Sequence, residues 1–169
     1  LSFGFYFDKL KDQTLIFTMD GEGDNISSSV STYKNDEIDK ISENSSHCSM
    51  GYLYSQVTGY LGMKPFEQEF KIMGMAPYGK EEDVDRLYLK IKHLLKLDNN
   101  GKFVSYVPSN LYKYELSKLF LNEKFQNICG AIQKMTENLI IAWVNYWIKK
   151  TSIKNIIVSG GVFMNIKAC

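Results

Sequence analysis

The sequence predicts an α/β fold, and three observations point that way: two β-patterned runs near the start, a long helical apolar pattern near the end, and a β-branched run leading through two glycines into another helix. The first run, Thr14-Leu15-Ile16-Phe17-Thr18-Met19, is β-branched and apolar and reads as a buried strand. The polar stretch Asp20-Gly21-Glu22-Gly23-Asp24-Asn25 follows. From Ile26 to Tyr33 the pattern alternates, with Ile26, Ser28, Val30 and Thr32 on one face, so the two runs predict a β-hairpin with a six-residue loop. A weaker third strand is expected over Glu37–Ser42.

Ser45-Ser46 precede His47, and Gly51–Leu61 carries apolar side chains at helical spacing up to a stop at Gly62. After Pro65, residues Glu67–Met75 predict a short helix ending in the turn Ala76-Pro77-Tyr78-Gly79. Residues Glu81–Leu97 begin acidic and end with Lys90, Lys92, His93 and Lys96, which suits a helix dipole. Asp98-Asn99-Asn100-Gly101 is a turn, and Phe103–Val107 a short strand or extended piece before Pro108. Phe125, Ile128, Ile132, Met135, Leu139, Ala142 and Tyr146 recur at steps of three and four and predict a core helix. Ile153–Val158 is the next strand, then Ser159-Gly160-Gly161, then a helix starting at Val162. Neither a repeat nor a linker divides the chain.

Composition narrows the function. The 169 residues are 44% hydrophobic, with 20 basic against 19 acidic side chains and a formal charge of +1, which excludes a disordered polyelectrolyte. Arg86 is the single arginine, which argues against a nucleic-acid partner. Cys48, Cys129 and Cys169 form no CxxC pair, and His47 and His93 are the only histidines, so neither a disulfide framework nor a Cys/His zinc site is expected. The longest apolar run, Leu139–Val144, is far below the roughly 18 residues of a membrane span. No membrane partner is expected, and the cytoplasm is the expected compartment. The chain opens at Leu1-Ser2-Phe3 and stops at Ala168-Cys169 just after a strand-to-helix signal, which reads as a piece of a longer protein cut at both ends.

Two glycine clusters have a physical reason to touch phosphate. In Asp20-Gly21-Glu22-Gly23-Asp24 the glycines permit positive φ, so backbone N–H groups can converge on an anion while a carboxylate at the strand end holds a metal; a plain hairpin turn is the competing reading. In Val158-Ser159-Gly160-Gly161 a buried strand feeds a helix whose N-terminus can face a nucleotide, against the alternative of a tight connection. Neither is a GxGxxG or a GxxxxGK[ST].

Together, an early glycine-turned hairpin and a late strand–Gly-Gly–helix unit in an α/β chain match the layout of the actin-like ATPase (ribonuclease H-like) fold. The segments Met19-Asp20-Gly21-Glu22-Gly23-Asp24, Lys71-Ile72-Met73-Gly74-Met75-Ala76-Pro77-Tyr78-Gly79 and Ser159-Gly160-Gly161-Val162-Phe163-Met164-Asn165 resemble the NodU/CmcH-type O-carbamoyltransferases. The resemblance runs nearly end to end, so residues 1–169 are expected to be part of the actin-like carbamoyltransferase domain. The last segment is also similar to the GGVxxN turn of the related tRNA threonylcarbamoyladenosine proteins.

The resemblance implies an enzyme that makes carbamoyl-adenylate from carbamoyl phosphate and ATP and passes the carbamoyl group to a hydroxyl of a sugar or natural-product acceptor. It implies a separate YrdC-like adenylate-forming domain and a divalent metal, usually iron, at the transfer site. Carried over by position, Asp20 is the metal- or phosphate-facing carboxylate, with Gly21, Gly23 and Asp24 as its phosphate loop. Gly160, Gly161 and Asn165 border the adenosine. Gly51 to Ser55 match the stretch that faces ribose in the tRNA-modifying relatives, with Ser55 standing where those carry an acid. Lys71, the lysine inside the central motif, is a candidate to place a phosphate or carbonyl oxygen by charge, beside the alternative of a solvated surface lysine. The family's histidine pair normally precedes a Ser-Ala-Phe-Phe-like run, which Leu1-Ser2-Phe3-Gly4-Phe5-Tyr6 resembles. A later metal-binding aspartate belongs after Cys169, so the 169 residues alone are expected neither to hold the metal tightly nor to transfer the group. The rivals are a tRNA-modifying threonylcarbamoyl transferase and a non-catalytic binding module on the same fold.

Overall fold

The computed structural model describes residues 13–107 and 111–168; Leu1–Tyr6, Pro108 and Cys169 lie outside the described residues. β1 (Thr14–Gly23) and β2 (Ile26–Lys34) form the predicted hairpin, but its loop is not six residues long. Only Asp24 and Asn25 make the turn, at φ 52° and 63°. Both central residues of a type I′ turn need positive φ, which Asp and Asn tolerate better than most side chains. The stretch Asp20–Gly23 instead continues β1 as a bulge: Met19 pairs with Ser28 and Gly23 with Ile26, so β1 carries more residues than β2 between those pairs. Asn35 and Asp36 repeat the device, at φ 51° and 63°, before β3 (Glu37–Ser45). That strand runs past its expected end at Ser42 because Asn44 is buried and fully engaged. Its Nδ2 donates to Ser28 Oγ at 2.8 Å, and its Oδ1 accepts the Phe103 N–H at 2.8 Å.

The four-stranded sheet has the order β3-β2-β1-β6, with β6 (Asn155–Ser159) parallel to β1 and the other pairs antiparallel. The parallel register sets Thr14 opposite Asn155 and Thr18 opposite Ser159. It therefore delivers the residues after Ser159 beside Met19 and Asp20. β6 begins two residues later than expected and empties into a 3-10 turn at Gly161–Met164 where the sequence predicts an α-helix.

α1 (Met50–Tyr60) is capped by Ser49, whose Oγ accepts the Tyr52 N–H at 3.0 Å, and it ends before Gly62 at φ 77°. α2 (Glu69–Met75) leads into the 3-10 turn Ala76–Tyr78 and then α3 (Glu81–Ile91). The predicted helix over Glu81–Leu97 is thus cut short. Lys96–Leu97 (β4) is drawn off to pair with Phe103–Val104 (β5). Asp98 fixes that reversal by accepting the N–H groups of Lys102 at 2.7 Å and Asn100 at 2.9 Å, and the Lys102 bond foremost lowers its carboxyl pKa. α4 (Tyr112–Leu119), which the sequence reading did not anticipate, buries Tyr112 and Leu116 one helical turn apart. α5 (Phe125–Thr151) is the predicted core helix and ends at Ser152 in the left-handed region, φ 61°.

Leu15, Phe17, Met19 and Val30 of the sheet share one core with Leu53 and Val57 of α1 and Ile132, Met135 and Trp143 of α5. Trp143 meets Phe17 edge-on, with ring centroids 5.1 Å apart. Among the described residues no helix is long and apolar enough to cross a membrane.

The α3 face is tied down by Arg86, which donates to both oxygens of Glu123, with Lys90 Nζ 3.3 Å away. The Arg86 guanidinium foremost holds the Glu123 carboxyl down at about 2, against an ordinary 4.5. A depressed folded-state pKa contributes stability that is present above the unfolded value and lost as pH falls through the folded one. Glu123→Gln is accordingly expected to lower the thermal midpoint by a few degrees near neutral pH, and the gap to close between pH 4.5 and about 2. Melts by circular dichroism across that range check it, and a gap independent of pH would contradict the assignment.

Candidate functional site

The bulge of β1 turns Asp20 toward the residues that follow β6. Its Oδ1 accepts the N–H of Gly21 at 2.8 Å, and its Oδ2 accepts the N–H of Gly161 at 3.3 Å. From the other side Ser49 Oγ, while capping α1, donates to the carbonyl of Gly21 at 2.6 Å. Backbone thus approaches backbone, and the glycines follow from that. A Cβ on Gly51 would stand 2.7 Å from Gly21 N and 2.8 Å from Asp20 O. At Gly160, where φ is 107°, it would stand 2.2 Å from Met19 O, and at Gly161 3.1 Å from Asp20 Oδ1. Gly51, Gly160 and Gly161 let three chain segments converge on Asp20.

This convergence forms one end of a cavity of about 380 Å³. Asp20, Gly21, Gly51, Gly161, Thr136 and Asn165 give it a polar end, while Phe66, Phe70, Met73, Val162 and Met164 supply apolar wall. A mostly apolar pocket with a few convergent polar groups is the usual form of a small-molecule site. Asn165 is held by an amide pair: its Nδ2 donates to Gln133 Oε1 at 2.9 Å, and Gln133 Nε2 donates back to Asn165 Oδ1 at 3.0 Å. Tyr54 OH donates to the same Gln133 oxygen at 3.0 Å, and Gln133 Nε2 also reaches Glu137 at 2.7 Å. Burial pushes the Tyr54 phenol up, which keeps it protonated and a donor. Sequence reasoning reads Tyr54 as a core residue, which its burial bears out, and missed Gln133. The available signal was a glutamine directly after Ile132 on the buried face of α5.

Of the residues singled out from sequence, Asp20, Gly21, Gly51, Ser55, Gly161 and Asn165 line this cavity. Gly160 sits behind it against Met19. Gly23 and Asp24 lie exposed at the hairpin end, and Lys71 is exposed on α2; none of the three lines the cavity. Ser55 is buried, and its Oγ accepts the Phe66 N–H at 3.1 Å. The expected helix N-terminus after Gly161 is only a 3-10 turn, whose first N–H goes to Asp20. Burial raises the Cys129 thiol to about 12, so it supplies no thiolate.

The sequence resemblance implies a metal at the transfer site. Among the described residues no group of three or more His, Cys, Asp or Glu side chains could hold a metal ion. Asp20 offers a single carboxyl where the bulge meets the Gly161 turn, so the described residues do not make a metal centre by themselves.

A model of the family described as carbamoyltransferase N-terminus matches residues 4–169. The chain belongs to that family. Its relatives by sequence include the nodulation protein NolNO of Sinorhizobium fredii, 28% identical over 91% of this chain and 23% of its own length. Nodulation protein NolO of Bradyrhizobium diazoefficiens is 26% identical over 91% of this chain and 28% of its own length. An uncharacterized protein of Methanocaldococcus jannaschii is 28% identical over 96% of this chain and 33% of its own length. The chain therefore spans about a quarter to a third of the length of these relatives. The glycine turns, the Asp20 bulge and the cavity all fall within the family match.

Proposed function

We propose that the cavity is the carbamoyl-transfer site of an O-carbamoyltransferase that takes its carbamoyl group from a carbamoyl-adenylate, made from carbamoyl phosphate and ATP, and delivers it to a hydroxyl of a sugar or natural product. The observation that carries this reading is the meeting of the Asp20 bulge and the Gly160-Gly161 turn at one end of a cavity whose wall is mostly apolar. In the transfer, the acceptor oxygen bonds to the carbamoyl carbon, the bond from that carbon to the phosphate oxygen breaks, AMP leaves with the electron pair, and the hydroxyl proton passes to water. Asp20, fixed by two backbone N–H groups, keeps lone pairs for an N–H or O–H of the bound groups. Asn165, fixed by Gln133, sets the adenosine side, and the apolar wall excludes water that would otherwise hydrolyse the donor. Holding both reactants in one small cavity supplies the proximity term. Adenylate formation belongs, in this reading, to a YrdC-like domain in the length that the relatives have beyond this match.

The test is an assay of the full-length protein with carbamoyl phosphate, ATP and a panel of sugars. A carbamoylated product by mass spectrometry that needs both carbamoyl phosphate and ATP, with stoichiometric AMP, is the expected result. Product formed from carbamoyl phosphate without ATP would remove the adenylate, and absence of any carbamoylated acceptor would overturn the reading.

A further inference from the structure

Phe66 stands in the segment between α1 and α2 with φ 65°, a left-handed conformation that a bulky aromatic side chain adopts only under compulsion. The compulsion is visible. Its N–H is shared between Ser55 Oγ, at 3.1 Å on buried α1, and Glu69 Oε1 at the start of α2. The ring is not withdrawn into the core, as strain relieved by burial would have it. Phe66 is 63% exposed, stands edge-on to Tyr52 with centroids 5.7 Å apart, and lines the cavity that holds Asp20. Its Cε1 is 3.5 Å from where a Cβ on Gly21 would be, so the ring overlies the residue after Asp20. Phe70, also on the cavity wall, is 61% exposed. Glu67 and Glu69 line the same cavity.

We propose that Phe66 is a specificity-determining residue, an aromatic shelf at the cavity mouth against which the apolar face of a neutral, ring-shaped, hydroxyl-bearing acceptor rests while Glu67 and Glu69 accept its hydroxyl hydrogens. Strain retained at an exposed ring beside a cavity is the pattern of a residue kept for its ligand. The ring's π face takes the C–H groups of a saturated ring. Glu67, ion-paired with Lys64 at 2.6 Å, and Glu69, which holds the Phe66 N–H, each keep carboxylate lone pairs that suit hydroxyl donors. Ser55 thereby has a task at this site: its Oγ accepts the Phe66 N–H and so helps hold the shelf's backbone.

The inference rests on the carbamoyl-transfer reading, and the experiment separates the two. In the full-length protein, Phe66→Asn is expected to raise the acceptor KM about tenfold while the KM values for carbamoyl phosphate and ATP stay within about twofold, and Phe66→Tyr to stay within about threefold of the unmodified protein throughout. Because Asn tolerates the left-handed region, its melting temperature is expected to be equal or higher. An unchanged acceptor KM, a donor KM that rises equally, or a lower melting temperature with KM intact each overturns the shelf. If the unmodified protein carbamoylates nothing, the enzymatic reading fails and calorimetric titration with methyl glycosides decides the shelf alone. Binding that weakens in Phe66→Asn supports it, whereas equal binding, or none to the unmodified protein, overturns it.

Discussion

Gly160→Ala is expected to destabilise the fold severely through a single added methyl group. A Cβ there would stand 2.2 Å from Met19 O, 2.8 Å from its carbonyl carbon and 3.0 Å from its nitrogen, so all three nearest atoms are backbone and no rotamer change relieves them. The φ of 107° adds strain for any L side chain. Relief requires β6 to peel from β1 where Thr18 pairs with Ser159, which also withdraws the Gly161 N–H from Asp20. Clash and strain together are expected to cost about 3 kcal/mol or more, in the range of the severest single substitutions. At roughly 2–4 °C per kcal/mol for a domain of this size, the midpoint drops by about 6–12 °C. Gly23→Ala, with nothing within 4 Å of its Cβ, is the matched control and is expected to be near neutral. Denaturation of the three proteins side by side checks this, and a Gly160→Ala curve that overlays Gly23→Ala would refute the close-approach account.

That account also shows where sequence reasoning reached its limit. The strand of Thr14–Met19, the core helix α5 and the alternation of β2 were legible because their hydrophobic periods are local and agree with burial: Leu15, Phe17 and Val30 face the core, as do Ile132 and Met135. Asp20–Gly23 was not legible as strand, because Gly-rich polar stretches read locally as loop. What makes it a bulge is Ser49 bonding to the Gly21 carbonyl and Gly51 pressing on Asp20, contacts across 28 residues and more of sequence. The far end of α3 was overcalled for a similar reason, since Leu97 fits a helix locally but pairs with Phe103 across the Asp98 turn. Both glycine clusters contribute residues to the cavity lining, for a cause that differs from the one the sequence suggests. Positive φ and phosphate contact were the reasons read from sequence, whereas the structure shows that Gly51, Gly160 and Gly161 admit backbone or the Asp20 carboxyl at distances a Cβ would obstruct. The partners of Ser55 and Gln133 were not legible locally, since each acts by hydrogen-bonding a residue of another element, Phe66 and Asn165.

Asp20→Ala is expected to abolish carbamoyl transfer while leaving the fold standing. The side chain is exposed to the cavity, and its carboxyl accepts two backbone N–H groups that water can satisfy in its absence, so the stability cost is about 1 kcal/mol, the net worth of ordinary hydrogen bonds. Activity has no such substitute. The carboxyl is the group at which the β1 bulge and the Gly161 turn meet, and losing it removes both an acceptor for the bound groups and the tie that sets the turn. Removing a positioned polar or acid–base group from a transfer site typically costs about 10²–10⁴ in rate, and with two functions lost the upper half of that range is expected in kcat/KM. Asp20→Asn separates the two functions. Its amide keeps one oxygen for the N–H of Gly21 or Gly161 but sets an NH₂ against the other, so it is expected to recover melting temperature without recovering turnover. Steady-state carbamoyl transfer and thermal melts of the full-length protein and both variants provide the check. A non-catalytic module on this fold predicts function intact in both variants. A loss of turnover that only matches the loss of folded protein would place Asp20 among the structural residues and leave the transfer site elsewhere.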